Sequence, residues 1–426
     1  PASFYNGDDR AVVIMDDLML RVSDWSVVEQ LAESLSARCV ARGGKPVTVK
    51  RNPEKWGGML LARDPERITL TSYMEDHIAA STAFWIPELV KTDIVPNDIP
   101  QGTKLRKVLD DLKRASERAA RPCKMTKQVM SLVGDLKWMT RRVVRIVKHV
   151  HMLAMVANAP AEPKLALLAA KGVLAVAYVT RREGFTWGGA LGESKIVGTL
   201  KGTVSSRKGS TIKRIDGDIK KAAPVAMEGA SDSTWNRLDV EAVARADDNI
   251  SADVYTHAIT MNGALVSLEL KKAHVVTGCS GELEGLALLK LSDKVIWARR
   301  VAAAYGVRMD APTLLMCDAE AALRTAAGRQ ASARLKHALR RAAIVIQRVR
   351  SADVELAHVP DAANVVDMFT KWTTPEKVER SLAYLTGALA RAVYLDQSAS
   401  VTSVAVAALS EMLTALDVVA ALSARD

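Results

Sequence analysis

Four acidic residues in the second half of the chain have the types and setting to hold cations. Asp232 lies beside a strand-like run, Glu284 in a helical run, Asp318 at the end of a strand and Asp367 in the first turns of a short helix. They fall across a β-β-β-α-β-α-β-α succession. Phosphodiester cleavage by two divalent ions about 4 Å apart needs such a set, because several oxygen ligands must clamp the attacking and leaving oxygens. Mg²⁺ favours carboxylate and water oxygens. Oxygen ligands without His or Cys therefore point to Mg²⁺ or Mn²⁺ rather than zinc. A second acidic feature is Asp16-Asp17, set between the apolar runs Ala11–Ile14 and Leu18–Leu20. Two adjacent carboxylates are costly to bury unless they meet a cation. A hairpin with both at its tip would present them to a metal; a plain turn uses the same residues.

The elements that must position these acids read as follows. Ser26–Arg42 is an amphipathic helix ended by Gly43-Gly44, with Val28, Leu31 and Leu35 on its apolar side. Residues 47–50, 58–62 and 68–71 read as strands. Residues 80–103, with Pro87, Pro96 and Pro100, read as an extended connection. A basic helical zone follows to about Lys148, and Ala161–Thr180 is a buried Ala/Leu/Val helix. Gly184–Ala223 reads as strands with an exposed basic loop. The last domain begins near Ala226. Its hairpin turns at Asn262-Gly263, the best short hairpin signal in the chain. Ser280 caps the helix bearing Glu282 and Glu284, and Lys336–Arg350 is a basic helix. Val354–Ala357 is a short strand stopped by Pro360, which has no N–H for a ladder. Asp361 or Asn364 then caps the short helix that carries Asp367.

The chain has 426 residues, length for two or three domains, with 4% aromatic residues, so its cores must be built from Ala, Val, Leu and Met. The net charge of +11 favours a polyanionic partner. The four cysteines form no C-x-x-C pair, which excludes a disulfide framework and fits a reducing, intracellular compartment, cytoplasmic or nuclear. No run of about 18 apolar residues occurs, so no membrane span is expected. The first residue is Pro rather than Met, and an N-terminal neighbour is expected to be absent.

Seven short stretches, in one order, resemble the polyprotein of copia-type LTR retrotransposons, in the part where reverse transcriptase joins ribonuclease H. Ile14-Met15-Asp16-Asp17 resembles Y-V-D-D of the polymerase palm. Ser131–Leu136 with Thr140-Arg141 resembles S-L-V-G-S-L and the start of T-R-P. Ser231–Trp235 is similar to S-D-A-D-W, and Cys279–Ala287 to S-S-T-E-A-E-Y-x-A. Met316–Ala322 resembles Y-C-D-N-Q-S-A, and Arg334–His337 resembles R-T-K-H. Val359–Lys371 is similar to V-P-T-x-x-Q-x-A-D-x-F-T-K. The likeness covers roughly residues 1–390.

The resemblance implies an α/β (α+β) chain. A partial reverse-transcriptase palm would span residues 1–78 and a thumb and connection 79–225. A ribonuclease H-like mixed sheet with flanking helices would span 226–374, and a helical tail 375–426. It implies that Asp232, Glu284, Asp318 and Asp367 hold Mg²⁺ or Mn²⁺, that Asp16 and Asp17 are two of three palm carboxylates, and that Arg334, Lys336, His337 and Arg141 approach nucleic acid. Glu284 is preferred over Glu282 because Ala287 lies three residues later, and Glu282 is expected at the surface. His358 is expected to be structural. The first palm carboxylate would lie upstream of residue 1, in a missing N-terminal part, so this chain alone should not polymerise DNA. Thr234 replaces an expected acid, and residues 236–250 look inserted. The expected activity is hydrolysis of the RNA strand of an RNA–DNA hybrid. Its alternative is a catalytically inactive, basic nucleic-acid-binding remnant; an integrase-type nuclease is a third, weaker one.

Overall fold

The computed structural model describes residues 2–6, 9–14, 17–21, 25–43, 45–46, 55–56, 59–64, 69–115, 124–188, 196–200, 204–205, 211–221, 227–235, 253–273, 277–304, 309–328 and 339–387. These form a mixed α/β protein with three sheets.

The first sheet is antiparallel: β1 (Ala2–Asn6), β2 (Asp9–Ile14) and β3 (Asp17–Arg21). Ile14 pairs with Asp17, so β2 and β3 are antiparallel as expected, but Asp17 lies on β3 rather than at a tip, and Asp16 is outside the described residues. Helix α1 (Trp25–Ala41) follows. Of its expected apolar side, Val28 is buried, whereas Leu31 is exposed and Leu35 only half-buried. The second sheet runs β4 (Lys55–Trp56), β5 (Met59–Asp64), β6 (Thr69–Tyr73) and β7 (Phe185–Gly188).

The stretch expected to be an extended connection is instead helical over most of its first part. Helix α2 spans Glu75–Trp85 and α3 spans Pro87–Thr92. Pro87 occupies the first turn of α3, where its missing N–H is no loss. The chain leaves α3 through Asp93, which is left-handed at φ 55°. Four more helices build a second layer: α4 (Gly102–Ala115), α5 (Lys124–Met139), α6 (Val147–Val156) and α7 (Pro163–Val179). Their core is aliphatic, with Leu105, Leu132, Leu136, Leu153 and Val173 buried.

The largest sheet has eight strands and carries the acids. Its strands are β8 (Ile196–Leu200), β9 (Val204–Ser205), β10 (Thr211–Lys221), β11 (Glu228–Thr234), β12 (Val254–Met261), β13 (Ala264–Lys272), β14 (Thr313–Cys317) and β15 (Val354–His358). The order is β13-β12-β11-β14-β15-β10-β8, with β9 on β10. β11, β12 and β13 are antiparallel neighbours; β11, β14, β15 and β10 are parallel. The β12–β13 turn is at Asn262-Gly263, both at positive φ, as that dipeptide predicts. β14 reads Thr-Leu-Leu-Met-Cys and is buried throughout, the unbroken apolar run of a central parallel strand.

Helices α8 (Ser280–Ala304), α9 (Glu320–Ala326), α10 (Leu339–Arg350), α11 (Asp367–Thr370) and α12 (Pro375–Leu385) complete the fold. Ser280 is the first residue of α8 rather than its cap. The Cys279 carbonyl accepts from Glu282 and Leu283, and Glu282 Oε2 reaches back to the Gly278 N–H at 2.9 Å. Asp361 opens a one-turn 3₁₀ segment, Asp361–Ala363, and no side chain caps α11.

Several pairings cross the divisions expected from sequence. β7 pairs with β6, joining residues 185–188 to 69–73. β10 pairs with β15, adding residues 211–221 to the sheet of the last domain. Backbone ladders need edges to complete them, and composition shifts along the chain do not show which edge is free. Of the expected helical tail, α12 is seen; residues 388–426 lie outside the described residues. Among the described residues no helix is long and apolar enough to cross a membrane.

Candidate metal centre

Asp232, Glu284 and Asp367 sit on three different elements and Asp318 just past a fourth, and the fold brings their charges within reach of one another. Asp232 is in β11, between β12 and β14, and is fully buried. Asp318 follows the last residue of β14. Parallel pairing of β11 with β14 points both strands the same way. Glu284 is in the second turn of α8, and its Oε1 accepts the Ser233 N–H at 3.2 Å, which fastens α8 to β11. Asp367 opens α11 and is buried. Its approach is set by Asn364, whose Nδ2 donates to the Ser231 carbonyl at 3.1 Å while its Oδ1 accepts from the Val366 N–H at 3.4 Å. His358 has the structural role expected of it: its Nε2 is 3.0 Å from the Asp318 carbonyl, tying the ends of β14 and β15 together.

The acids feel one another. Burial, then the charge of Asp318, pushes the Asp232 carboxyl up to about 7. Burial, then Asp232 and Asp318, pushes Glu284 up to about 8. Burial also raises Asp318, against the pull of Lys371. Such crowding calls for positive charge. Asp232 Oδ1 is buried without a hydrogen bond, and its Oδ2 accepts from the Thr370 hydroxyl.

The ligand atoms of Glu284, Cys317 and Asp318 lie within 4.8 Å of one another, a group that can hold a metal ion. Burial holds the Cys317 thiol well above its usual range, so it stays protonated and faces Glu284 Oε2 at 3.9 Å as a donor. The ionisable donors are therefore carboxylate oxygens.

Two lysines also reach this cluster. Lys371 Nζ is 2.7 Å from Asp367 Oδ1, 3.2 Å from Asp361 and 3.8 Å from Asp232 Oδ1. Lys377 Nζ is 2.5 Å from Asp367 Oδ2. Burial works against the Lys371 ammonium, yet its bond to Asp367 and the charges of Asp232 and Asp318 hold it well above its usual range.

Other residues singled out from sequence fare differently. Glu282 is not at the surface; it is buried and paired with Arg341 at 3.1 Å, because the first turn of α8 faces α10. Arg141 lies in the turn after α5, with its guanidinium 4.0 Å over the Trp138 ring. Asp16, Arg334, Lys336 and His337 lie outside the described residues, and of Asp17 only the backbone is described. Cys317, Thr370, Lys371 and Lys377 were not expected at the site. Thr370 and Lys371 stand three and four residues after Asp367, a helical spacing that could have found them.

Comparison of the chain with protein-family models, with curated proteins and with solved structures finds no match.

Proposed function

We propose that the chain is a retrotransposon-derived reverse transcriptase–ribonuclease H fragment that hydrolyses the RNA strand of RNA–DNA hybrids. The observation that carries this reading is that Asp232, Glu284, Asp318 and Asp367, from four parts of the fold, lie close enough for their charges to act on one another. The succession β11-β12-β13-α8-β14-α9-α10-β15-α11 also supports it.

Two Mg²⁺ or Mn²⁺ ions would lower the pKa of a water and offset charge on the leaving 3′ oxygen. Asp232 and Asp367 would serve as ligands fixed from below by the sheet and from the side by Asn364. Glu284 and Asp318 would complete the set, with Cys317 donating to Glu284 and orienting its carboxylate. The hybrid would be recognised by shape and 2′-OH contacts rather than by sequence. In this reading Asp16 and Asp17 belong to the polymerase palm.

One observation favours a second reading, a catalytically inactive nucleic-acid-binding remnant. Lys371 and Lys377 already neutralise Asp367, and Lys371 also leans on Asp232. The two readings separate in one assay. A labelled RNA–DNA hybrid is incubated with the chain in Mg²⁺. Cleavage of the RNA strand that Asp318→Asn abolishes, with hybrid binding retained, is the expected result. Binding without cleavage by the wild-type chain supports the remnant instead.

A further inference from the structure

A cleft of about 180 Å³ opens between the helical layer and the segment that follows α11. Its charged lining is all positive: Arg106 from α4, Lys148 from α6, Arg145 just before α6, and Lys371. Among the described residues no carboxylate is part of its lining, although Asp110 is bonded to Trp372 at its edge. Arg145 is held by Glu183 and Glu379, and Lys371 by Asp367 and Asp361. Arg106 and Lys148 have no ion pair among the described residues. Both instead stand over one ring, Trp372, with the Arg106 Cζ 5.2 Å and the Lys148 Nζ 4.1 Å from its centroid.

The cleft therefore presents several positive side chains around one aromatic ring. Lys148 is largely buried, and burial lowers its ammonium to about 7 in spite of the nearby charges of Asp110 and Asp367. Asp110 is engaged at the edge of the ring, where it accepts the Trp372 Nε1–H at 3.2 Å. The Thr373 hydroxyl, also at the cleft, is buried with no hydrogen-bond partner. His149, 5.4 Å from Trp372, is pushed down to about 4 by burial and by Arg106 and Lys148, so it stays neutral and adds no charge of its own.

We propose that this cleft binds a backbone phosphodiester of a nucleic-acid strand next to the acidic cluster. The volume suits one phosphate with part of its sugar rather than a whole nucleotide. Arg106 supplies a planar fork of donors, and Lys148 supplies a point charge. Leu105, Val176 and Met368 offer an apolar floor for the sugar. Lys371 belongs to both sites, so a strand anchored here passes the four carboxylates. An acidic peptide would meet the same charges. The strand is favoured because Lys104 and Lys107 stand exposed beside Arg106 in the first half of α4, ahead of Asp110-Asp111, and extend the positive surface beyond the cleft.

The proposal rests on the nucleic-acid reading above but not on cleavage. Binding of a fluorescein-labelled RNA–DNA hybrid is followed by anisotropy in EDTA, with the full chain and far-UV circular dichroism as a check on folding. Lys148→Met and Arg106→Gln should each weaken binding by roughly three- to tenfold and lower the salt slope by about one. Unchanged affinity and slope in both variants overturns the proposal. So does displacement of the hybrid by polyglutamate as effective as displacement by unlabelled DNA. So does binding of inorganic phosphate by calorimetry that is lost in the variants while hybrid affinity stays. Hybrid cleavage by the wild-type chain with unaltered binding in both variants sinks the cleft and leaves the nuclease reading standing. Weakened binding in the variants, with no cleavage by the wild-type chain, does the reverse.

Discussion

Asp232 and Glu284 are carboxyls kept from water, and their protonation is coupled to folding. The folded chain holds protons on both up to about pH 7 and about pH 8, whereas the unfolded chain has lost them by about pH 5. The folded state therefore binds more protons through this window, so the free energy of unfolding falls as pH rises through it and levels off above. In EDTA the thermal midpoint is expected to drop between about pH 5 and about pH 8.5, and the double variant Asp232→Asn, Glu284→Gln should flatten that profile. A wild-type midpoint that holds or climbs over this range contradicts the assignment. Among single residues, the acids themselves were legible because each sits at a local signal, such as Asp318 closing an apolar strand. Lys371 and Lys377 were not, because a lysine near a helix end ordinarily points to solvent. Only the path of the chain turns them inward.

At the scale of elements, the site depends on how closely α8 lies on β11. Gly229 sets that distance. A Cβ there would meet Leu291 Cδ1 at 2.6 Å and the Ala258 carbonyl at 3.3 Å. Gly229→Ala therefore forces the Leu291 side chain of α8 out of its place against β11 and crowds the Ala258 carbonyl. The expected cost is about 1–3 kcal/mol in urea unfolding, with hybrid cleavage reduced more than hybrid binding. An unfolding midpoint equal to that of the wild-type chain would show that the helix has slack. The strands of this sheet were readable where periodicity or turn chemistry is local, as at Asn262-Gly263. Helices α2 and α3 were not, because three prolines suggested an extended path. Pro87 only divides the helical path: α2 stops at Trp85, Ile86 before the proline is not helical, and Pro87 starts α3.

Over the whole molecule, the sheet with the acids shares its core with residues far upstream. Leu70, Val144, Val147, Phe185 and Trp187 are buried in the same cluster as Leu315, Leu356 and Phe369. A backbone bond from the Thr186 N–H to the Thr386 carbonyl closes the junction at 2.9 Å. Trp187→Ala removes one of the largest buried side chains and should cost about 3–5 kcal/mol. Because that core is common, calorimetry should show the acid-bearing sheet losing stability along with the second sheet. Two independent transitions, of which only one moves, would refute a common core.

The amino-acid sequence by itself determined the strands with local punctuation, the aliphatic helices and the basic balance, and it offered the four acids as candidates. These follow from side-chain periodicity, turn geometry and charge, which act over a few residues. The tertiary structure alone decided that residues 211–221 extend the large sheet, that Cys317 stands behind Glu284, that two lysines face Asp367, and that a positive cleft opens beside Trp372. Each of these depends on which surfaces meet after long loops close, and that is fixed by packing between distant segments rather than by any one of them.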